Sequence, residues 1–240
     1  KGFKDEKQGH LFFSIEMIVR EKRPKLVILE NVRNVFKDEI YSVIENSFKE
    51  SGYYAARTLI NAKYWVPQSR VRAYMLFFNE DFYSRNFVEK FQFYLEQLEV
   101  SKGNELPFSL IKEKGVSKEY QIPQGTWDSL NRHKNKHQEK KQGFGFSVVD
   151  EAKASRTLSA RYHKDGAEIL VNEGWERPRK ITETEGFNLM GFNKYANKYN
   201  FKDGFIFPEN MSKAQRYKQL GNSLVPEIIV DIINILKNIK

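Results

Sequence analysis

A carboxylate and two guanidiniums are the residues whose type and spacing point most directly at chemistry. Glu30 ends the apolar run of residues 26–29, Leu-Val-Ile-Leu, which reads as a fully buried β-strand. Near-continuous apolar character of this kind belongs to strands covered on both faces, as in parallel sheets. In open α/β sheets, reactive groups sit at the carboxyl ends of strands, and a carboxylic acid placed there can donate or accept a proton. The same residue could equally cap the next helix or pair with a surface lysine, and this stretch alone leaves that open. Arg70 and Arg72, within Gln68-Ser69-Arg70-Val71-Arg72, stand two apart, the spacing that puts side chains on one side of an extended segment. Two guanidiniums beside the apolar strand 73–78 suit a planar anion, a carboxylate or a phosphate; an exposed edge strand with two solvated arginines is the bland alternative.

A second group is basic. Arg132, Lys134, Lys136, Lys140 and Lys141 cluster just before Gly143-Phe144-Gly145-Phe146, and cations interleaved with aromatics fit a nucleic-acid surface or a solvated loop. The net charge of +9 and pI near 9.4 agree with a polyanionic partner. His133 and His137 are four apart, but no third ligand accompanies them and no metal is expected. The 240 residues contain no cysteine, which excludes disulfides, thiolate metal sites and any thiol nucleophile supplied by this sequence. No run of 18 apolar residues suggests a transmembrane helix, and the Lys1-Gly2-Phe3-Lys4 start has no apolar stretch behind it to make a signal peptide.

The elements that would position these groups follow from periodicity. Helical spacing predicts helices near 10–22 and 35–50, with Pro24 closing the first and Ser51-Gly52 the second. Strands are predicted at 26–30, 53–60 and 73–78, and an aromatic-rich helix at 82–99. The alternation of helix and strand is that of an α/β sheet. Residues 100–145 read as irregular. Residues 156–171 read as a β-hairpin turning at Asp165-Gly166, followed by a loop to Lys180, a short helix near 182–190, an irregular stretch over 193–211 and a final apolar helix at 226–239.

Glu30-Asn31-Val32, then Gln68-Ser69-Arg70-Val71-Arg72, then Gly221-Asn222-Ser223 occur in the order of the ENV, QxRxR and GNS motifs, with Val66-Pro67 before the second and Gln215 and Tyr217 before the third. In this order and context they resemble the bacterial DNA cytosine-5 methyltransferases along essentially the whole chain. Residues 143–146, Arg156-Thr157-Leu158-Ser159-Ala160-Arg161-Tyr162 and residues 164–170 resemble the Dcm-like branch. That branch recognises CC(A/T)GG; the resemblance leaves this chain's own target open.

The resemblance implies part of a Rossmann-like methyltransferase sheet plus a smaller, irregular, β-rich target-recognition domain. Residues 1–80 would be catalytic, 81–211 would recognise the target, and 212–240 would return to the catalytic domain. Glu30 would serve the N3 position of a flipped cytosine and Arg72 its O2, with Arg70 and Gln68 as organisers or DNA-backbone contacts. Asn222, Ser223 and Leu11 would lie at the S-adenosyl-L-methionine site. Arg132, Lys134, Lys136, Lys140, Lys141, Arg156 and Arg161 would contact double-stranded DNA. A bacterial, cytoplasmic, nucleoid-associated protein of restriction-modification is implied, with no membrane partner. The pattern departs from the family in two places. After Arg179-Lys180-Ile181-Thr182 the family's Pro-Arg-Glu is replaced by Glu183-Thr184-Glu185. The Gly-rich cofactor loop and the Pro-Cys-Gln nucleophile loop have no counterpart, so the chain is expected to be the C-terminal part of such an enzyme, inactive until a polypeptide supplies both. The alternative is a catalytically inactive DNA-binding or regulatory relative.

Overall fold

The computed structural model describes residues 9–37, 39–139, 146–198 and 205–239. They form a mixed α/β structure whose contacts divide it into two compact units: residues 1–61, 71–102 and 230–240 make the first, and residues 62–70 and 103–229 the second. The boundaries expected from sequence lie elsewhere. Residues 81–102 belong with the sheet, whereas 62–70 and 212–229 belong with the second unit.

The first unit carries helix α1 (Gly9–Lys22), strand β1 (Leu26–Val32), helix α2 (Glu39–Glu50), strands β2 (Tyr53–Asn61) and β3 (Val71–Asn79), and helix α3 (Arg85–Glu96). Helix α1 stops at Arg23, which takes a left-handed φ of 45° with its N–H on the Val19 carbonyl, and Pro24 prevents continuation. Helix α2 begins four residues later than expected because residues 33–36 wind as a 3₁₀ turn. Gly52 turns the chain into β2 at φ +79°, and a Cβ there would lie 2.8 Å from the Glu80 carboxylate.

The sheet order is β1-β3-β2, and β3 runs antiparallel to both neighbours. This corrects the reading of β1 as a fully buried parallel strand: its residues 26–30 are half-buried and 31–32 exposed. The strand with the long buried run is β3, over residues 73–79, because among the described strands it alone has a partner on each side and side chains packed on both faces. Residues of period two divide between those faces. Val27, Leu29, Ala73, Met75 and Phe77 meet Val19, Ile44 and Phe48 of α1 and α2, with Phe48 stacked on Phe77 at 3.7 Å. On the opposite face Phe78 meets Phe91 of α3 edge-on at 5.0 Å. Helix α3 is capped by Ser84, which accepts from the Phe87 N–H. Its Gln92 also bonds both the N–H and the carbonyl of Arg57, satisfying part of the outer edge of β2.

The second unit contains helix α4 (Gln124–Glu139), the two-residue strands β4 (Leu170–Val171) and β5 (Arg179–Lys180), and helices α5 (Glu183–Leu189), α6 (Phe192–Lys198) and α7 (Lys213–Asn222). It holds less strand than the sequence suggests, a single short ladder and isolated bridges among the described residues. Helix α4 is missing from the sequence reading because Trp127 and Leu130 are its main apolar contributors to the Ile122–Leu130–Leu170 cluster, too few to show a period. Helix α6 falls in a stretch expected to be irregular.

The expected hairpin at 156–171 does not form. Gly166 does take the positive φ that Asp-Gly signals, at +68°. The preceding chain instead coils in successive turns, Tyr162 N–H to Ser159, Lys164 N–H to Arg161 and Gly166 N–H to Tyr162. The buried Tyr162 hydroxyl then donates to the Ile169 carbonyl and accepts from the Ile181 N–H, which takes up backbone groups a hairpin ladder would need. Helix α8 (Pro226–Asn238) follows α7 after a break at 223–225. Read as one piece, Lys213–Asn238 is long and apolar enough to cross a membrane by length and composition; the break leaves helices of 10 and 13 residues, each short of the ~20 that a span requires.

Candidate active site and nucleic-acid interface

In the first unit the sheet register brings Glu30 and Arg72 together. Glu30 pairs with Tyr74 and Val32 pairs with Arg72, so Glu30 and Arg72 are diagonal neighbours on one face, a separation long side chains bridge. The Arg72 Nε lies 3.2 Å from Glu30 Oε1, and both side chains are less than a fifth exposed. Arg72 also donates to the Val71 carbonyl at 2.9 Å. Burial pushes the Arg72 guanidinium below its ordinary value, and the Glu30 carboxylate opposes that shift. The result is a proton-bearing acid or its conjugate base locked against a cation at the rim of a sheet, with partial access from outside.

Arg70 does something different. Its guanidinium is buried in the second unit, where it donates to the carbonyls of Leu158, Gly221 and Ser223 at 3.1, 3.0 and 2.7 Å. Gln68, wholly buried, accepts from the Leu158 N–H at 2.7 Å and donates to the Leu189 carbonyl and the Met190 sulfur. The expected pairing of Arg70 with Arg72 around one anion is therefore corrected. Arg70 is spent on main-chain carbonyls, and only Arg72 faces a carboxylate. Sequence spacing missed this because residues 62–70 fold with the second unit and residues 71–79 with the first.

Asn222 and Ser223, at the C-terminal end of α7, line a cavity of about 430 Å³ with Met211, Gln215, Lys218 and Gln219. The Ser223 hydroxyl donates to the Leu220 carbonyl, while Asn222 is exposed. Amides, a hydroxyl and one ammonium form a donor set that suits a ligand with neutral polar groups and a carboxylate. Leu11 lies on α1, and its side chain is outside the described residues.

Of the basic residues, Arg132 is exposed on α4, and the Lys134 ammonium sits 4.7 Å over the Phe146 ring. Lys136 is on the same helix with its side chain outside the described residues, as are Lys140, Lys141 and residues 143–145 altogether. Arg156 and Arg161 are exposed at the two ends of the segment 156–161.

The sequence reading overlooked a buried ion pair in this unit. Arg179 grips Glu185 through two bonds of 2.7 and 2.8 Å, and Glu185 also accepts from the Thr182 and Glu113 N–H groups. The Thr-x-x-Glu spacing of a capping box was legible at Thr182 and Glu185; the partner arginine was not.

With this geometry in hand, comparison with known proteins is specific. The profile of the family described as C-5 cytosine-specific DNA methylase matches residues 1–238. The type II methyltransferase M.SsoII of Shigella sonnei is 35% identical over 234 residues, covering 95% of this chain and 57% of that protein. The DNA-cytosine methyltransferase of Escherichia coli K12 is 30% identical over 268 residues, covering 98% of this chain and 54% of that protein. The chain thus spans a little over half the length of these relatives; for M.NlaX of Neisseria lactamica, 32% identical, the share is 70%. Among solved structures, the Dnmt2 methyltransferase of S. pombe superimposes with a TM-score of 0.68 at 15% identity, over 94% of this chain and 70% of that one. The Entamoeba histolytica methyltransferase EhMeth gives 0.65 at 18% identity, over 94% and 68%. The structural matches establish the fold, and the profile across nearly the whole sequence establishes more: this chain belongs to the C-5 cytosine-specific DNA methylase family.

Proposed function

We propose that these residues are the base-activating and DNA-gripping part of an enzyme that transfers a methyl group to C5 of a cytosine in duplex DNA, within restriction-modification. The observation that carries the reading is the Glu30–Arg72 pair, a carboxyl group held 3.2 Å from a guanidinium at the rim of the sheet. Cytosine C5 is a poor nucleophile until a thiolate adds at C6. Charge then builds on the ring, and an acid at N3 with a cation near O2 relieves it. Glu30 takes the first role and Arg72 the second. The base competes with Glu30 for the Arg72 guanidinium, and a Glu30 carboxyl that carries a proton then faces N3. The target base has to leave the stack to reach such a pair.

The thiolate cannot come from these 240 residues, which include no cysteine. In this reading a polypeptide bearing the Pro-Cys-Gln and Gly-rich motifs completes the enzyme. S-adenosyl-L-methionine, when bound, supplies the methyl group, and Asn222 and Ser223 are the residues here that would help to hold it. Duplex DNA is gripped through phosphates by Arg132, Lys134, Lys136, Lys140, Lys141, Arg156 and Arg161.

The test is to mix the chain with the corresponding N-terminal part of a relative and measure transfer of labelled methyl groups to duplex DNA. Transfer is expected only from the mixture, and Glu30→Gln in the mixture should keep DNA binding while turnover falls by about 10² or more, the scale of losing a general acid. Normal turnover by the Glu30→Gln variant would refute the role of Glu30. A second reading is a DNA-binding relative without catalysis; DNA binding by the chain with no transfer from any mixture would favour it.

A further inference from the structure

Resting on the reading that Arg161 grips a DNA phosphate, we infer that Gly221 and Arg70 are positioning residues for the turn of residues 159–166, whose exposed Arg161 and Lys164 touch the DNA backbone. The first ground is a contact that only glycine permits. A Cβ on Gly221 would lie 2.3 Å from both the Ser159 carbonyl carbon and the Ala160 nitrogen. Those atoms are backbone, so no side chain can swing aside, and the end of α7 is laid directly against the start of the turn. The second ground is that the same two strokes of chain are tied by one guanidinium. Arg70 holds the Gly221 and Ser223 carbonyls on α7's side and the Leu158 carbonyl on the turn's side.

The third ground is that the tethers converge on the turn from further directions. Gln68 accepts from the Leu158 N–H, and the Thr157 hydroxyl donates to the Ser69 carbonyl at 2.7 Å. Beyond Leu158, the Ser159 hydroxyl donates to Glu168 and accepts from the Arg161 N–H. On the far side the Lys180 ammonium donates to the His163 and Lys164 carbonyls, each at 3.1 Å. Every one of these bonds ends on main chain or on a side chain within the turn's base, and the side chains left outward are Arg161, Lys164 and Asp165. A turn so fixed, carrying two cations outward, is a rigid presenter of charge rather than a loop that adapts to its ligand. The glycine of the Gly-Asn-Ser motif thus has a role independent of any ligand in the cavity beside Asn222: it admits the turn to its place.

The test uses the full chain, duplex DNA and a double-mutant cycle. Arg161→Ala with Lys164→Ala removes two phosphate contacts and should lower the slope of log affinity against log salt by about 2. Gly221→Ala displaces the turn and should produce a similar drop. Added on top of the double alanine variant, Gly221→Ala should cost less than twofold more. Thr157→Val, which loses one tether without adding bulk, should shift the slope in the same direction by a smaller amount with its melting temperature little changed; it carries the test if Gly221→Ala does not fold. Wild-type affinity in Gly221→Ala or Thr157→Val, or losses that simply add to those of the alanine pair, would overturn the inference while leaving DNA binding intact. No binding of duplex by the unaltered chain would overturn the underlying reading and this inference with it.

Discussion

Replacing Glu185 by alanine should destabilise the second unit by about 3–5 kcal/mol, the cost of leaving one member of a buried ion pair without its partner. The structure supports the upper part of that range. Arg179 and Glu185 are both wholly buried, and their contact is bidentate at 2.7 and 2.8 Å. The substitution would also orphan the N–H groups of Thr182 and Glu113, which Glu185 accepts from at 2.9 Å each, and an unmet buried donor costs about 1–3 kcal/mol. One feature softens the loss: Arg179 keeps Glu173, whose carboxylate lies 2.7 Å from Nη2. The assay is built into the sequence. All three tryptophans, Trp65, Trp127 and Trp175, lie in the second unit, so tryptophan fluorescence in a urea titration reports on that unit alone. The midpoint should fall with little change in slope. The pair Arg179→Met with Glu185→Leu should cost less than Glu185→Ala, because it buries no uncompensated charge at that contact. A loss below about 1 kcal/mol in Glu185→Ala, within the range of an exposed ion pair, would refute the reasoning that breaking this pair leaves a costly buried charge.

Burial raises the hydroxyl pKa of Tyr162 and Tyr217. The unfolded chain, with tyrosines near 10, therefore releases protons that the folded chain keeps, and stability present below about pH 10 should fall as pH rises beyond it. Tyrosinate absorbance from these residues should appear together with loss of the folded tryptophan signal; full titration of all 12 tyrosines before unfolding would contradict this. Arg132→Gln with Lys134→Gln, both on α4, should weaken binding to every duplex alike and lower the salt slope by about 2; an unchanged slope would remove α4 from the interface.

The two arginines of Gln68-Ser69-Arg70-Val71-Arg72 show how little sequence spacing alone says about partners. Residues 62–70 and 71–79 belong to different units, so a chain spacing of two separates a residue that serves main-chain carbonyls from one that faces a carboxylate. Arg70 has the better geometry for holding structure, since its donors meet three carbonyls in a fixed fork. Arg72 keeps its partner at the rim, where a ligand can compete for it.

Much was legible in the residues themselves. The helices α1, α2, α3 and α8 announce themselves by period, because each buries one regular face, β1 and β3 by short apolar runs, and Pro24, Gly52 and Pro226 punctuate the elements by backbone sterics that act locally. The order of Glu30, Gln68, Arg72 and Gly221 pointed to the family before any geometry. The rest depended on contacts distant in sequence. That β3 enters between β1 and β2, making it the buried strand, is a matter of which edges pair, and no local pattern encodes it. Helix α4 was hidden because few of its residues face a core. The hairpin expected at Asp165-Gly166 was lost to the Tyr162 hydroxyl, which reaches Ile169 and Ile181. The neighbour that forbids a side chain on Gly221 lies about 60 residues away along the chain. Local steric and apolar preferences act within a few residues, so the sequence determined elements and their punctuation. Close packing and hydrogen bonding between segments brought together by folding decided which of its charged residues face a possible ligand and which are consumed in holding the chain.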